Sequence, residues 1–211
     1  MRTINWNDLP HNRQLGYGHE GLVLRLSETR SIKIYSPERV ESCDRERINL
    51  ELLARARMPV PQVSEKVTIR VGRQPIKLPS RCEFSGIGLY TFDNIESVPA
   101  LIKDYIPGKP YGTTSATILQ ARRLFRYLHN AHEKGFAFPD CNITNFIDGP
   151  DGPVLVDASH LFTRDTAKPF DDYCHQADEQ IVHDWRSELL SRNLLSEWFD
   201  FKVGVANYLA R

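Results

Sequence analysis

The sequence predicts an α+β fold of two lobes: a small β-rich N-terminal lobe with one helix, residues 1–108, and a truncated, mostly helical C-terminal lobe, residues 109–211. Three observations predict it. The stretch GLVLRLSETRSIKIY alternates apolar and polar positions at a period of two, the signature of half-buried strands, and further strands are expected before residue 108. One helical stretch interrupts them, from Ser36 to Met58, ahead of Pro59 and Pro61. Then IPGKPYG places two prolines and two glycines within six residues, and beyond it apolar positions recur every three or four residues.

The elements follow in chain order. LGYGHEGLV, residues 15–23, carries Gly16, Gly18 and Gly21. Glycine costs roughly 0.5–1 kcal/mol inside a strand relative to alanine, so three so close together imply backbone lying against something bulky. The next stretch, GLVLRLSETRSIKIY, puts Leu22, Leu24 and Leu26 on one face and continues with Ile32 and Ile34, which predicts strand, turn, strand. Ser36 is expected as a helix cap, Pro37 suits the first helical position and Glu38 the first turn. Val40, Ile48, Leu50, Leu52 and Leu53 would supply the helix's apolar surface. Strands are expected in VSEKVTIRVG, GIGLYTF and PALIKDYI. A helix is expected from Thr114 to Lys134, stopped by Gly135, with Ile118, Ala121, Phe125, Leu128 and His132 at helical spacing. Two further helices are expected from about His175 to the end, one around Trp185, Leu189 and Leu190, the other around Trp198, Phe199, Val203 and Tyr208.

Bulk properties narrow the partners. The chain has 211 residues with 27 basic and 27 acidic side chains, so neither nucleic acid nor a membrane surface is favoured. No apolar run approaches a membrane span and the N-terminus has no signal-type apolar core, so a cytoplasmic location is expected, or export by a route without a cleaved signal. Cys43, Cys82, Cys141 and Cys174 are far apart and form no zinc pattern, which predicts free thiols. His129 and His132 lie three apart on the expected helix, a spacing that without a partner acid predicts an ordinary surface or core pair.

FPDCNITNFIDGPDGPVLVDAS, residues 138–159, is the stretch richest in chemistry. Asp140 and Asn145 are separated by four residues, and Gly149-Pro150-Asp151-Gly152 reads as a turn. If residues 146–148 pair antiparallel with 154–156, Asn145 and Asp157 meet at one end of the hairpin. A carboxylate beside an amide oxygen makes a hard-oxygen donor set suited to Mg²⁺. Asp140 sits one short loop away.

The G-x-G-x-x-G spacing has two physical readings: a dinucleotide cradle when a helix follows, or a cover over ATP phosphates when a strand follows. A strand is expected here. With that, the chain resembles the protein-kinase-like superfamily along most of its length and in order. Gly16, Gly18, Gly21 and Val23 match the glycine-rich loop, and Lys33 in SIKIY matches the lysine that contacts the α- and β-phosphates. Glu46 matches the helix glutamate that pairs with this lysine, with Glu51 as the alternative. KDYIPG is similar to the hinge whose backbone, at Asp104, Tyr105 and Ile106, would hold the adenine. Asp140 matches the catalytic-loop aspartate, Asn145 the metal-binding asparagine and Asp157 the aspartate that opens the D-F-G motif. Taken singly each match is weak; a lone strand lysine is usually just solvated. Their joint order carries the resemblance.

The departures are specific. Phe138-Pro139-Asp140 stands for H-R-D, Asn142 stands where lysine is common, Asp157-Ala158-Ser159 stands for D-F-G, and no A-P-E stretch follows. The resemblance therefore implies a minimal, atypical kinase, similar in size to bacterial effector kinases of the HopBF type and also to lipopolysaccharide-sugar kinases and RIO-type kinases. It implies ATP and Mg²⁺ as cofactors and a protein Ser/Thr hydroxyl as acceptor, on a host chaperone in the effector case. A small-molecule or sugar acceptor and a non-catalytic binding module remain as alternatives. A monomer is expected.

Overall fold

The computed structural model describes residues 1–18, 20–72, 78–81, 87–90, 96–111, 118–139, 141–166 and 169–191. The chain divides into two compact units, one made of Met1–Ala54 and Pro61–Tyr105, the other of Arg55–Val60 and Ile106–Arg211.

The first unit holds β1 (Thr3–Asn5), β2 (Gln14–Gly18), β3 (Gly21–Arg25), β4 (Arg30–Tyr35), α1 (Val40–Arg55), β5 (Val63–Arg70), β6 (Leu78–Arg81), β7 (Ile87–Tyr90) and β8 (Ser97–Asp104). Six strands form one sheet in the order β1-β5-β8-β4-β3-β2, and β6 and β7 pair as a separate ribbon. The period-two alternation read from the sequence sorts the sheet into two faces. Leu22, Leu24, Ile32, Ile34, Val67, Ile69, Val98, Ala100 and Ile102 pack as one apolar cluster, with Leu9 and Val71 joining it. The intervening positions Val23, Lys33 and Leu101 are cross-strand partners on the opposite face, where α1 contributes Cys43 to a second cluster with Tyr35 and Leu101. Burial pushes the Cys43 thiol up to about 11, so it is an inert packing residue.

Several expectations need correction. Ser36 makes no side-chain cap bond; Pro37–Arg39 forms a single 3₁₀ turn first, and α1 starts at Val40. The helix stops at Arg55, before the prolines, and Arg57 adopts a positive φ of 58°. Leu50 and Leu53 are buried, but Val40 and Ile48 are exposed, because they lie on the side of α1 away from the sheet. The strands β1 and β6 had no clear period-two signal over three and four residues.

The second unit holds β9 (Lys109–Pro110), α2 (Ile118–Glu133), β10 (Phe136–Ala137), β11 (Phe146–Gly149), β12 (Gly152–Leu155), β13 (Phe162–Thr163) and α3 (Phe170–Ser191). Ala121, Leu124, Phe125, Leu128 and Ala131 form the buried stripe of α2, and Gly135 ends it at φ 83° with its N–H on the His132 carbonyl. The helix α3 begins at Phe170, five residues ahead of the expected His175, and buries Trp185. The second expected terminal helix, the segment 112–117, Cys82 and Asp140 lie outside the described residues. Cys43, Cys141 and Cys174 are free thiols. Among the described residues no helix is long and apolar enough to cross a membrane.

Candidate active site

In the first unit the site residues stand on the helix-facing side of the sheet. Lys33, in β4, is 4% exposed, and its Nζ donates to Glu46 Oε2 at 2.5 Å and to Glu20 Oε2 at 2.6 Å. Glu46, fully buried on α1, also accepts from Lys103 Nζ at 2.6 Å and from the Tyr35 hydroxyl at 2.7 Å. Two ammonium groups, two carboxylates and a phenol thus form one charge-assisted network. Of the two candidate helix glutamates, Glu46 meets Lys33; Glu51 pairs with Arg47 on the solvent side at 2.9 Å.

Sequence reasoning missed Glu20 and Lys103. The signal for Lys103 was available: it lies two positions after Leu101, the cross-strand partner of Lys33, so it shares that lysine's face. Glu20 had none, because a turn residue has no period.

The glycine stretch is the tip of the β2–β3 hairpin, closed where Gly18 pairs with Gly21. Its glycines have different reasons. A Cβ on Gly21 would stand 1.9 Å from the Ile34 carbonyl oxygen, so β4 itself demands glycine there. A Cβ on Gly16 would meet nothing within 4 Å. The fold explains Gly21 without a ligand, and leaves Gly16 unexplained by packing. Val23 is the cross-strand partner of Lys33.

At the end of β8, Asp104 is tied by Arg30 at 2.5 Å, and its carboxylate accepts from the Gln62 N–H at 3.2 Å. The Asp104 N–H donates to the Gln62 carbonyl and the Tyr105 N–H to the Thr29 carbonyl, so both are engaged in holding the strand end. The Arg25 guanidinium lies over the Tyr105 ring at 4.3 Å. Ile106 begins the longer of the two segments that make up the second unit.

In the second unit β11 and β12 pair antiparallel, Phe146 opposite Leu155 and Gly149 opposite Gly152, around a turn at Pro150 and Asp151. The return strand ends one residue earlier than expected, yet the Val156 N–H still donates to the Asn145 carbonyl at 2.9 Å, which sets Asn145 and Asp157 at one end of the hairpin. Asp157 Oδ1 accepts the Ser159 N–H at 3.2 Å. The donor set is all oxygen, one carboxylate and one amide, and fits a hard divalent cation such as Mg²⁺. A third strand, β9, pairs with β11; a Cβ on the preceding Gly108 would lie 2.4 Å from the Asp148 carbonyl oxygen, so glycine is required for that approach.

The loop carrying the expected catalytic aspartate is described on both sides of Asp140. Asn142 caps the 3₁₀ turn Ile143–Asn145, accepting from the Thr144 N–H at 2.8 Å and hydroxyl at 2.7 Å. The departure from lysine therefore installs a cap. Asp184, on α3, accepts the Ile143 N–H at 3.1 Å and pins the same turn from a distance of 41 residues in sequence. It too was missed, since nothing local marks a carboxylate that caps a remote loop.

The α2 histidines read as an ordinary pair. His129 has Glu133 at 3.2 Å, and burial lowers His132 to about 4, leaving it neutral with its Nε2 buried and without a partner among the described residues.

No protein-family model and no curated protein sequence matches this chain. Among solved structures it is similar to aminoglycoside phosphotransferase APH(3'')-Id from Streptomyces rimosus ATCC10970, at 14% identity and a TM-score of 0.53, over 89% of this chain and 83% of that one. That protein has a protein-kinase-like fold, and this chain shares the fold.

Proposed function

We propose that the chain is an ATP-dependent phosphotransferase that moves the γ-phosphoryl group to a hydroxyl, with residues 1–108 as its nucleotide-binding lobe and 109–211 as its catalytic lobe. The observation that carries this reading is the buried Lys33–Glu46 contact at 2.5 Å, which holds an ammonium group in place at the root of a glycine hairpin.

The roles follow from charge. Phosphoryl transfer spreads negative charge over phosphate oxygens, so its catalysis is positioning and neutralisation. Lys33, held by Glu46, would meet the α- and β-phosphates. The backbone of Gly16, Gly18 and Gly21, with Val23, would cover the nucleotide, and the chain at Asp104, Tyr105 and Ile106 would take the adenine, through its carbonyls and Ile106 given that the Asp104 and Tyr105 N–H groups are engaged. Asn145 and Asp157 would hold Mg²⁺, which supplies further neutralisation of the phosphates. Asp140 would orient the acceptor hydroxyl and receive its proton.

The acceptor has two readings. A Ser/Thr hydroxyl on a protein follows from the likeness to minimal effector kinases. A small polyol or amino sugar follows from the aminoglycoside phosphotransferase whose fold the chain shares. Incubation with γ-labelled ATP and cell lysate, followed by separation of protein bands from small products, tests both. Label on protein supports the first, label on a small soluble product the second. No Mg²⁺-dependent transfer to either, from protein that binds ATP, would leave a nucleotide-binding module.

A further inference from the structure

We infer that Lys103 is a positioning residue for the phosphoryl transfer: by holding the second oxygen of Glu46 it fixes the plane of that carboxylate, and with it the place of the Lys33 ammonium. The inference rests on the phosphotransferase reading above and adds one residue to it.

The donors divide between the two oxygens of Glu46. Oε2 accepts from Lys33 Nζ at 2.5 Å and from the Tyr35 hydroxyl at 2.7 Å. Both donors come from β4, two positions apart on one face. Oε1 accepts from Lys103 Nζ at 2.6 Å, and Lys103 comes from β8. The two strands are antiparallel, with Lys33 opposite Leu101 and Ser31 opposite Lys103, so the lysines are diagonal neighbours. Long side chains bridge that separation, and here they close on one acceptor.

The last torsion of a glutamate side chain is broad and roughly two-fold, unlike the staggered torsions before it. Donors on one oxygen leave the carboxylate plane free to swing; donors on both, from two strands, fix it. Stability alone does not call for this arrangement. The Lys103 side chain is 5% exposed and that of Glu46 fully buried, where charge is costly and an apolar residue of similar size often serves as well. An ammonium carries three N–H donors, so each lysine can hold Glu46 and meet a further acceptor at once, as Lys33 does with Glu20 at 2.6 Å. What Lys103 adds is a stationary acceptor for Lys33. Displacing a positioning group by about 1 Å costs on the order of a hundredfold in rate.

The helix carries its own control. Lys66, in β5, stands opposite Leu101 on the other side of β8 and donates to Asp44 at 2.6 Å. It too fastens a strand to α1, but through the half-exposed Asp44.

The test uses the full chain as parent, Lys103→Met, Glu46→Gln, the double variant and Lys66→Met. It measures turnover of γ-labelled ATP with Mg²⁺ and lysate over a range of ATP concentrations, ATP affinity by calorimetry, and thermal melting. Lys103→Met is expected to lower kcat at least tenfold, to change ATP affinity less than threefold, and to melt no lower than the parent. In the Glu46→Gln background the same substitution is expected to cost less than twofold more, because the two residues act as one unit. Lys66→Met is expected to keep kcat within twofold. Parent-like kcat in Lys103→Met overturns the inference while the phosphotransferase reading stands. So does an equal loss in both backgrounds, which would mean that Lys103 acts on something other than Glu46, or a loss of affinity at unchanged kcat, which would make it a nucleotide contact. An equal loss in Lys66→Met would reduce the effect to general attachment of α1 and overturn it as well. Lys103→Gln, read in the same way, serves if Lys103→Met does not fold; unfolding of both would make Lys103 a structural residue and the inference wrong. If the folded parent turns over no ATP, the phosphotransferase reading fails and this inference fails with it.

Discussion

On one face of the six-stranded sheet, Ile32, Ile34, Val67, Ile69 and Ala100 are fully buried against one another. One residue along the same strands, on the other face, stand Lys33 and Lys103, equally sheltered but committed to ion pairs. The same backbone therefore carries an apolar core and a charged network side by side. The difference teaches that burial alone does not identify a core residue here: what separates the faces is whether a buried group has something specific to bond. The apolar face is held by area removed from water and tolerates conservative changes of shape. The charged face is held by a few short contacts, and each removal leaves a partner wanting.

The sharpest way to test that contrast is Lys33→Met. Glu46 keeps Lys103 and Tyr35, so the fold should survive with a cooperative melt, while phosphate transfer should fall by about a thousandfold or more, on the order of 4 kcal/mol of barrier. Retained activity, measured as label transfer per enzyme, would break the functional assignment of this face. The neighbouring substitution Ile32→Ala should do the reverse. It should cost about 2–5 kcal/mol of stability in denaturant titrations, and the fraction still folded should bind ATP normally. Loss of ATP affinity in folded Ile32→Ala protein would blur the two faces into one.

The glycine hairpin offers a smaller version of the same contrast. Gly21→Ala places a methyl group against the Ile34 carbonyl and should lower the melting temperature markedly, whereas Gly16→Ala meets open space and should leave stability within roughly 0.5 kcal/mol. Gly16→Ala should still weaken ATP binding, because its backbone is the part left for a ligand. Equal melting of both variants would mean that β4 yields to a side chain at Gly21.

The smallest effect concerns pH in the second unit. Burial lowers His132 from 6.5 to about 4, so the unfolded chain binds more protons between those values and stability falls as pH drops through that window. Burial raises Asp178 from 3.8 to about 6, so the folded chain binds more protons there and stability rises as pH drops from about 6 to 4. The two oppose each other. Asp178→Asn should unmask the histidine, with a stability loss of roughly 1–3 kcal/mol from pH 7 to 4.5 that exceeds the parent's. His132→Gln should tilt the profile the other way. Parallel pH profiles for parent and both variants, from urea midpoints, would remove this pair from the account.

The legible parts of the sequence are those with a period. Leu22, Leu24, Ile32 and Ile34 fall where alternation places them, and Ala121, Phe125 and Leu128 fall on one helical stripe, because a repeated pattern over several residues outweighs local noise. The β11–β12 hairpin was legible through its turn, since Gly149 to Gly152 reverse the chain by themselves. What was not legible was decided by tertiary partners. Val40 and Ile48 look like core in the sequence and are exposed, because the sheet covers only one side of α1. Ser36 has the chemistry of a cap, but the chain enters the helix through a 3₁₀ turn that leaves its hydroxyl without a partner among the described residues. Glu20 and Asp184 act through residues remote in sequence, and a single chain read locally holds no sign of such pairs, whereas Lys103 could have been found from its strand period.

The short segment Arg55–Val60 has a consequence for the order in which the chain can mature. It follows α1, yet it belongs to the second unit, where the Pro59 carbonyl accepts both the Leu155 N–H and the Tyr127 hydroxyl and the Ala56 carbonyl accepts Lys134. The two units are therefore not consecutive beads that could be cut apart at Tyr105. A fragment beginning at Ile106 would lack the acceptor for Tyr127, a buried phenol whose ionisation burial already disfavours. On a ribosome, these six residues emerge long before the partners that complete their bonds, so the second unit finishes folding by reaching back to chain that has been waiting since the first sixty residues were made.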